Sequence, residues 1–434
     1  MTREVLMFSK NFTHTNIVAS TILFSTIFLI TACQSNSNSA YHKKIKKKIR
    51  ENVTATMKKD LSPGMAVALV YKDKIVFSQG FGVTNVNTQQ AVTADTSFWL
   101  ASISKTAIAV SIMHARERGL LDLDIDVYDL LENQAGISLS KPFEEPILLK
   151  HLVNHTSSIV DSDFYDCTAY VGDENGQHYN LYNSYLGVNT CDETLPVTLI
   201  GYLKAYLTEG QAYYSEQDNF LQEKPGTRFE YSNIGAALAG YTLEVATGLS
   251  LADYAKAHIF DPLDMKNTSW RLNDLDQSNI AIPYLWDKET QKMAPLPLYS
   301  FSTWPDGGLR SSANDLAKYL LMVMNKGKID NTRILSTDSI KEMLPITDRD
   351  SEVGVFWSNE KFGNGRTVIG HGGEEAGAYT YMFYDPNKQV GVILLANGDD
   401  DQNTHYRGID PVAWYERHNT LLNKLLDYAK DLGD

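Results

Sequence analysis

Ser102 and Lys105 stand three positions apart in Trp99-Leu100-Ala101-Ser102-Ile103-Ser104-Lys105-Thr106-Ala107. On a helix, residues i and i+3 share a face, so this spacing brings a hydroxyl to an amine. A serine hydroxyl is a poor nucleophile until a base takes its proton, and a lysine amine can be that base. The pattern S-x-x-K alone is weak, because chance supplies it roughly once or twice in a chain of this length. Its setting is better. Phe98, Trp99 and Leu100 precede it, and the small apolar run Thr106–Met113 follows, as in a buried helix. Ser104 is adjacent to Lys105 and has the wrong spacing for the same role.

Two further clusters complete a constellation. Tyr231-Ser232-Asn233 follows Lys224-Pro225-Gly226-Thr227, and His371-Gly372-Gly373 is followed by Glu374-Glu375. With these elements in this order, the chain resembles the serine β-lactamase and penicillin-binding-protein superfamily. The nearest pattern is the class C-like branch, which includes D-alanyl-D-alanine carboxypeptidases, D-aminopeptidases and esterases. Gly119–Asp124, His151–Ser158, Phe260–Met265 and Gly307–Ser312 look like landmarks of that branch, and the resemblance runs from about Ser62 to Asn397.

The resemblance implies a serine hydrolase that forms an acyl-enzyme on Ser102, with amide, peptide or ester substrates. Lys105 and Tyr231 would exchange the protons. A tyrosine can serve as base only beside a cation, which Lys105 supplies. Asn233 would orient Lys105 and the substrate amide, and the backbone N–H groups of Ser102 and Glu374 would form the oxyanion hole. Such donors are typically worth ~3 kcal/mol of barrier each. Gly372 and Gly373 suit a strand that a substrate must approach closely. His371 would either bind substrate or shape that strand.

One departure from the lactamases matters. Where they carry K-T-G, this chain has His371-Gly372-Gly373, without the lysine charge and threonine hydroxyl that hold a substrate carboxylate. Arg310 and Lys361 are the cations considered as replacements. Two alternatives to an enzyme remain: a penicillin-binding sensor that acylates and stalls, and a non-catalytic envelope lipoprotein that keeps the fold.

Other chemistries find little support. His151 and His155 have zinc-helix spacing, but Leu152 stands where the H-E-x-x-H base would be. There is no G-x-S-x-G of an α/β-hydrolase. The motifs require neither a cofactor nor a metal. A formal net charge of −14 opposes binding to nucleic acid, which needs a basic footprint. The partners expected are a small-molecule or peptide substrate, such as a peptidoglycan stem peptide or a β-lactam, and a membrane.

The membrane enters through the N-terminus. Arg3 and Lys10 precede the apolar run Ile17–Ala32, which suits a signal-peptide core. The run ends in Ile30-Thr31-Ala32-Cys33, which resembles a bacterial lipobox, with Cys33 lipidated. The alternative is an ordinary signal peptide or a short anchor. The lipobox reading predicts a lipid-anchored protein of the bacterial envelope, facing the periplasm. Polar Gln34–Ser39 reads as a tether. With Cys33 lipidated, Cys167 and Cys191 remain as a candidate disulfide in an oxidising compartment, against the alternative of two free buried thiols.

The elements that must position these residues read as α+β. Residues 41–58 predict a helix, with Ile45, Ile49, Val53 and Met57 on one face and a basic remainder. Met65–Tyr71 and Ile75–Ser78 predict a hairpin around Lys72-Asp73-Lys74. Arg366–Gly370, Ala378–Tyr384 and Val390–Ala396 predict strands, and residues 404–431 a final helix. The resemblance joins both chain ends in one antiparallel sheet flanked by helices, with a mostly helical domain between. The resulting organisation is a signal peptide at 1–32, tether and basic helix at 33–60, a sheet domain from 61–110 and 300–434, and a helical domain at 111–299. Within the last, the aromatic and acidic segment 160–223 is either a lid or a packed surface excursion.

Overall fold

The structure is a computed structural model. It describes residues 17–172, 177–181, 191, 197–287, 289–345, 353–398 and 410–434, with side chains from residue 39 onward except that of Pro411. The chain divides into two compact units, Met1–Arg50 and Glu51–Asp434. Helix α1 spans Ile17–Asp60, longer than its apolar periodicity alone predicts and including the polar stretch 34–39. The side chain of Cys33 lies outside the described residues.

The second unit is α+β and is built on a seven-stranded antiparallel sheet. Its strands are β1 (Gly64–Tyr71), β2 (Lys74–Asn85), β3 (Gln90–Ala91), β4 (Ser358–Lys361), β5 (Thr367–Glu375), β6 (Ala378–Asp385) and β7 (Val390–Ala396), in the order β4-β5-β6-β7-β1-β2-β3. The N-terminal hairpin meets the C-terminal strands where β1 pairs with β7, from Met65 opposite Ala396 to Tyr71 opposite Val390. Every residue of β1, β6 and β7 is buried. Their near-continuous apolar runs are what strands covered on both faces require.

The two faces carry different helices. Ala66, Ala68 and Val70 of β1 and Ile393 and Leu395 of β7 join the main core with Leu316 and Leu320 of helix α4 (Ala313–Met324). On the other face, Tyr379 and Tyr381 of β6 pack against Trp414 and His418 of helix α5 (Pro411–Gly433). That helix begins at Pro411; residues 404–409 of the predicted helix lie outside the described residues. A buried polar clasp holds it. Asp60 accepts hydrogen bonds from Tyr379 Oη (2.8 Å) and Arg417 (2.6 Å) and pairs with His418 Nε2 (2.9 Å). Burial raises the Asp60 carboxyl, but these partners outweigh it and leave it below the usual carboxylate range.

Two helices carry the candidate site. Helix α2 (Ser104–Glu117) is buried from Ser104 to Ala115, as its small apolar sequence requires. Helix α3 (Asn233–Thr247) packs against it. The segment 160–223 is in part core, because Tyr202, Tyr206 and Tyr213 are buried in the main cluster. Cys167 and Cys191, 24 positions apart, are joined by a disulfide within it. Residues 173–176, 182–190 and 192–196 of this segment lie outside the described residues.

Candidate active site

The nucleophile loop is tight. Ala101, just before Ser102, sits at φ +48°, a left-handed conformation that costs a non-glycine residue about 1 kcal/mol or more. His155, Ser158 and Phe356, at or beside the same cleft, also have positive φ, at +58°, +64° and +53°. The surrounding packing must hold these conformations, and such concentrations of backbone strain mark functional sites.

Ser102 and Ser104 then separate cleanly. Ser104 is fully buried; its Oγ donates to the Ala101 carbonyl (2.6 Å) and accepts from the Leu309 N–H (3.1 Å). It ties the loop to its neighbour and has no path to a substrate. Ser102 is only partly buried and lines a cleft of about 590 Å³.

Lys105 lies behind Ser102 and is fully buried. Stripping an ammonium of water costs several kcal/mol unless protein groups replace the solvent. Three acceptors do so: Ser102 Oγ at 3.1 Å, Asn233 Oδ1 at 2.6 Å and the Asp306 carbonyl at 2.9 Å. An ammonium has three donors, so Lys105 is saturated.

Asn233 is the first residue of α3. Ser232 caps that helix through the Gly235 N–H (2.8 Å), a contact typically worth ~1 kcal/mol. The buried carboxylate of Asp161 occupies the same helix end. It accepts from the backbone N–H groups of Asn233 (2.9 Å) and Ile234 (3.0 Å) and from Asn233 Nδ2 (2.9 Å). Burial raises the Asp161 carboxyl, with the helix N–H groups and the Lys105 charge opposing.

Tyr231 shares the cleft and is 37% exposed. Its ring stacks on His155 at 4.4 Å and offers a face to Lys105 Nζ at 5.1 Å. Its hydroxyl has no hydrogen-bond partner among the described residues. His155 is buried, and its Nδ1 accepts from the Ser232 N–H (3.1 Å). Burial, with the Lys105 charge second, holds it well below the ordinary histidine range. It is a neutral platform for Tyr231; among the described residues no group of His, Cys, Asp and Glu side chains is placed to hold a metal ion.

Strand β5 supplies the opposite wall, running on past Gly370 so that His371, Gly372, Gly373 and Glu374 all lie along it. The two glycines are not equivalent. A Cβ on Gly373 would fall 2.2 Å from the Leu100 carbonyl oxygen and 3.1 Å from the Ser102 nitrogen, whereas one on Gly372 would meet nothing closer than the Tyr381 ring at 3.6 Å. Glycine at 373 is what lets β5 press against the nucleophile loop. Thr380 reinforces this approach by donating to the Leu100 carbonyl at 2.8 Å. His371 bonds the Gly372 carbonyl through Nδ1, leaving Nε2 to the cleft as an acceptor. Burial, then Lys105, lowers it to about 4, so it is neutral at pH 7.

Neither replacement cation reaches the cleft. Arg310 is 1% exposed, lies 4.0 Å over the Trp99 ring and donates to the Tyr299 carbonyl (2.7 Å). Lys361 is exposed at the end of β4 and is not part of the cleft lining.

Three residues that the motifs do not reveal are central here: Asp161, Asp306 and Glu360. Asp306 is fully buried; its carboxyl accepts from Tyr165 Oη at 3.2 Å, and its Oδ1 has no partner among the described residues. Burial pushes it up to about 7, with Lys105 opposing. Glu360 lines the cleft from β4. The only signal for Asp161 was its place in an acidic segment next to the HTS stretch. Glu360 had none.

Known proteins resemble this chain in sequence and in fold. A family model described as Beta-lactamase matches residues 49–410. Beta-lactamase-like protein 4 of Dictyostelium discoideum is 27% identical over 67% of this chain and 47% of its own length. Penicillin-binding protein 4 of Amycolatopsis lactamdurans is 25% identical over 77% of this chain and 81% of its own. The chain spans about half the length of the first relatives it matches. Among solved structures, the octameric penicillin-binding protein homologue from Pyrococcus abyssi superposes with a TM-score of 0.65 at 28% identity, over 87% of this chain and 77% of that one. The D-alanine carboxypeptidase AmpC from Burkholderia cenocepacia shares the fold, with a TM-score of 0.62 at 20% identity over 89% of this chain and 99% of its own.

Proposed function

Because this chain belongs to the Beta-lactamase family, a family of serine hydrolases, we propose that it hydrolyses amide, peptide or ester bonds through an acyl-enzyme on Ser102. The observation that carries the reading is the saturated Lys105, held 3.1 Å from the Ser102 hydroxyl in a cleft open to substrate. Ser102 Oγ attacks the acyl carbon, and its proton passes through the Lys105–Tyr231 pair to the leaving nitrogen or oxygen. Water then adds to the acyl-enzyme, the acid departs and Ser102 regains its proton. The strand carrying Gly373 and Glu374 lies against the nucleophile loop, where two backbone N–H groups can receive the developing oxyanion. The lipid anchor on Cys33 and the periplasm-facing location are part of this proposal and rest on the N-terminal sequence.

Intact-mass spectrometry with a fluorophosphonate and with penicillin, followed over time, tests it. A single fluorophosphonate adduct mapped to Ser102, together with turnover of a small acyl ester that Ser102→Ala abolishes, is the expected result. No adduct identifies a scaffold, a penicillin adduct that persists without ester turnover identifies a sensor, and an adduct on Ser104 removes the assignment.

A further inference from the structure

Helix α1 carries the run Lys43-Lys44-Ile45-Lys46-Lys47-Lys48-Ile49-Arg50. Ile45 and Ile49 are 2% and 0% exposed, whereas all six cations are exposed. The two isoleucines, four positions apart, mark the buried side of the helix. At about 3.6 residues per turn the cations fan over the remainder. No acid interrupts the run. Lys43 and Lys47, Lys44 and Lys48, and Lys46 and Arg50 are like-charged neighbours one turn apart, an arrangement that destabilises a helix. Elsewhere the protein sets its lysines against carboxylates, as Lys141 against Asp129, Lys150 against Asp124 and Lys256 against Asp261. The chain carries −14 in all, so with these six cations set aside the rest carries −20. Solvation alone does not reward such segregation, and a surface of opposite charge relieves the repulsion within it.

We propose that this face of α1 is a docking surface for an anionic lipid bilayer. The inference builds on the membrane anchoring read from the N-terminus and adds the charge of the lipid that the anchored protein meets. Ten residues, 33–42, separate the apolar run Ile17–Ala32 from Lys43. A bilayer that holds that run, or a lipid on Cys33, therefore has the six cations within chain reach of its headgroups. Each lysine or arginine near an anionic surface adds to binding, until salt screens it. Tyr41, 47% exposed just before the run, has the apolar ring and polar tip that suit a headgroup layer. Nucleic acid offers phosphates too, but only a bilayer also receives the apolar segment beside them.

Lysine acetylation read by peptide mass spectrometry tests the proposal on the full chain. The chain is reconstituted with vesicles of phosphatidylcholine alone, or of phosphatidylcholine with phosphatidylglycerol. Lys43, Lys44, Lys46, Lys47 and Lys48 should be acetylated more slowly with phosphatidylglycerol, by on the order of tenfold. Lys150 and Lys256 should be unchanged. Salt at about 1 M, where the Debye length is about 3 Å, should remove the protection. Replacing Lys43, Lys44 and Lys46 together by Gln should expose Lys47 and Lys48, and replacing the same three by Arg should leave them protected. All three residues are exposed and remote in sequence from Ser102, so ester turnover by these variants should equal that of the parent chain. Equal acetylation in the two vesicles, protection that includes Lys150 and Lys256, or protection unmoved by the Gln replacements overturns the proposal. So does stronger protection by duplex DNA than by phosphatidylglycerol at equal phosphate, which would assign the face to nucleic acid. Flotation with phosphatidylcholine vesicles scores the anchor separately. A chain that fails to float with them yet is protected by phosphatidylglycerol loses the anchor and keeps the docking surface.

Discussion

Asp161 fixes the direction of the Asn233 amide. Its carboxylate accepts from both the backbone N–H and Nδ2 of Asn233 at 2.9 Å, which turns Oδ1 toward Lys105 at 2.6 Å. The same carboxylate thus ends α3 favourably, as a negative charge at a helix N-terminus does, and presents an acceptor, rather than a donor, to the catalytic amine.

Asp161→Ala should therefore damage chemistry more than folding. Losing a charge-assisted contact of this kind is worth about 2 kcal/mol, so kcat/KM should fall by on the order of tenfold or more. The pH profile of kcat/KM should also move, because the amide that touches Lys105 is freed to rotate. Asn233→Ala should mask the effect: the double variant should be little worse than Asn233→Ala alone. Additive losses with an unmoved pH profile would make Asp161 a helix cap and nothing more.

Lys105 and Tyr231 should behave as one unit. Lys105→Ala and Tyr231→Phe should each cost orders of magnitude in acylation rate, and the double variant little more than the worse single one. Pre-steady-state acylation by a nitrophenyl ester reads this directly. Multiplication of the two losses would show that the two groups act separately.

The two glycines of β5 should respond unequally. Gly373→Ala places a methyl 2.2 Å from the Leu100 carbonyl oxygen, which can be relieved only by moving β5 off the nucleophile loop. It should cost about 1–3 kcal/mol of stability and most of the acylation rate. Gly372→Ala meets only ordinary contact and should cost far less of both. Thermal melts and adduct formation measure the pair; equal effects would remove the close-approach argument.

Asp306 should make stability fall with rising pH. Its carboxyl lies near pH 7 in the folded protein and near 3.8 when exposed, so the folded state holds a proton that the unfolded state releases between these values. Its stabilising share is present below about pH 4 and is lost as pH rises through about 7. The difference in melting temperature, Asp306→Asn minus the parent protein, should therefore be more positive at pH 8 than at pH 5. A difference independent of pH refutes the buried titration.

What the sequence disclosed follows from the range of its signals. The strands β1, β6 and β7 were legible because burial on both faces leaves near-continuous apolar runs. Ser102 and Lys105 were legible because a single helical turn brings them together. Asp161 was not, because its partner is 72 positions away, and nothing local distinguishes it from other acids of the same segment. Arg310 failed as a substitute cation for the same reason: its charge is spent against Trp99 and the Tyr299 carbonyl, contacts no spacing rule reports. The distinction between Gly372 and Gly373 also required the neighbouring loop, since the two are alike in sequence.

The pairing of β1 with β7 carries a consequence for how this protein comes into being. The Gly64 N–H donates to the side chain of Asn397, 333 positions downstream. Until the ribosome has released the C-terminal hairpin, β1 is an orphan edge, with no β7 to pair with and no α5 to cover it. The growing polypeptide thus has no closed sheet while residues 64–389 are being made, and contacts of such long range are slow to form even afterwards. An interrupted product ending before Val390 would expose the apolar run Met65–Tyr71 as an aggregation template. A chain so arranged stays threadable until Val390–Ala396 has been made.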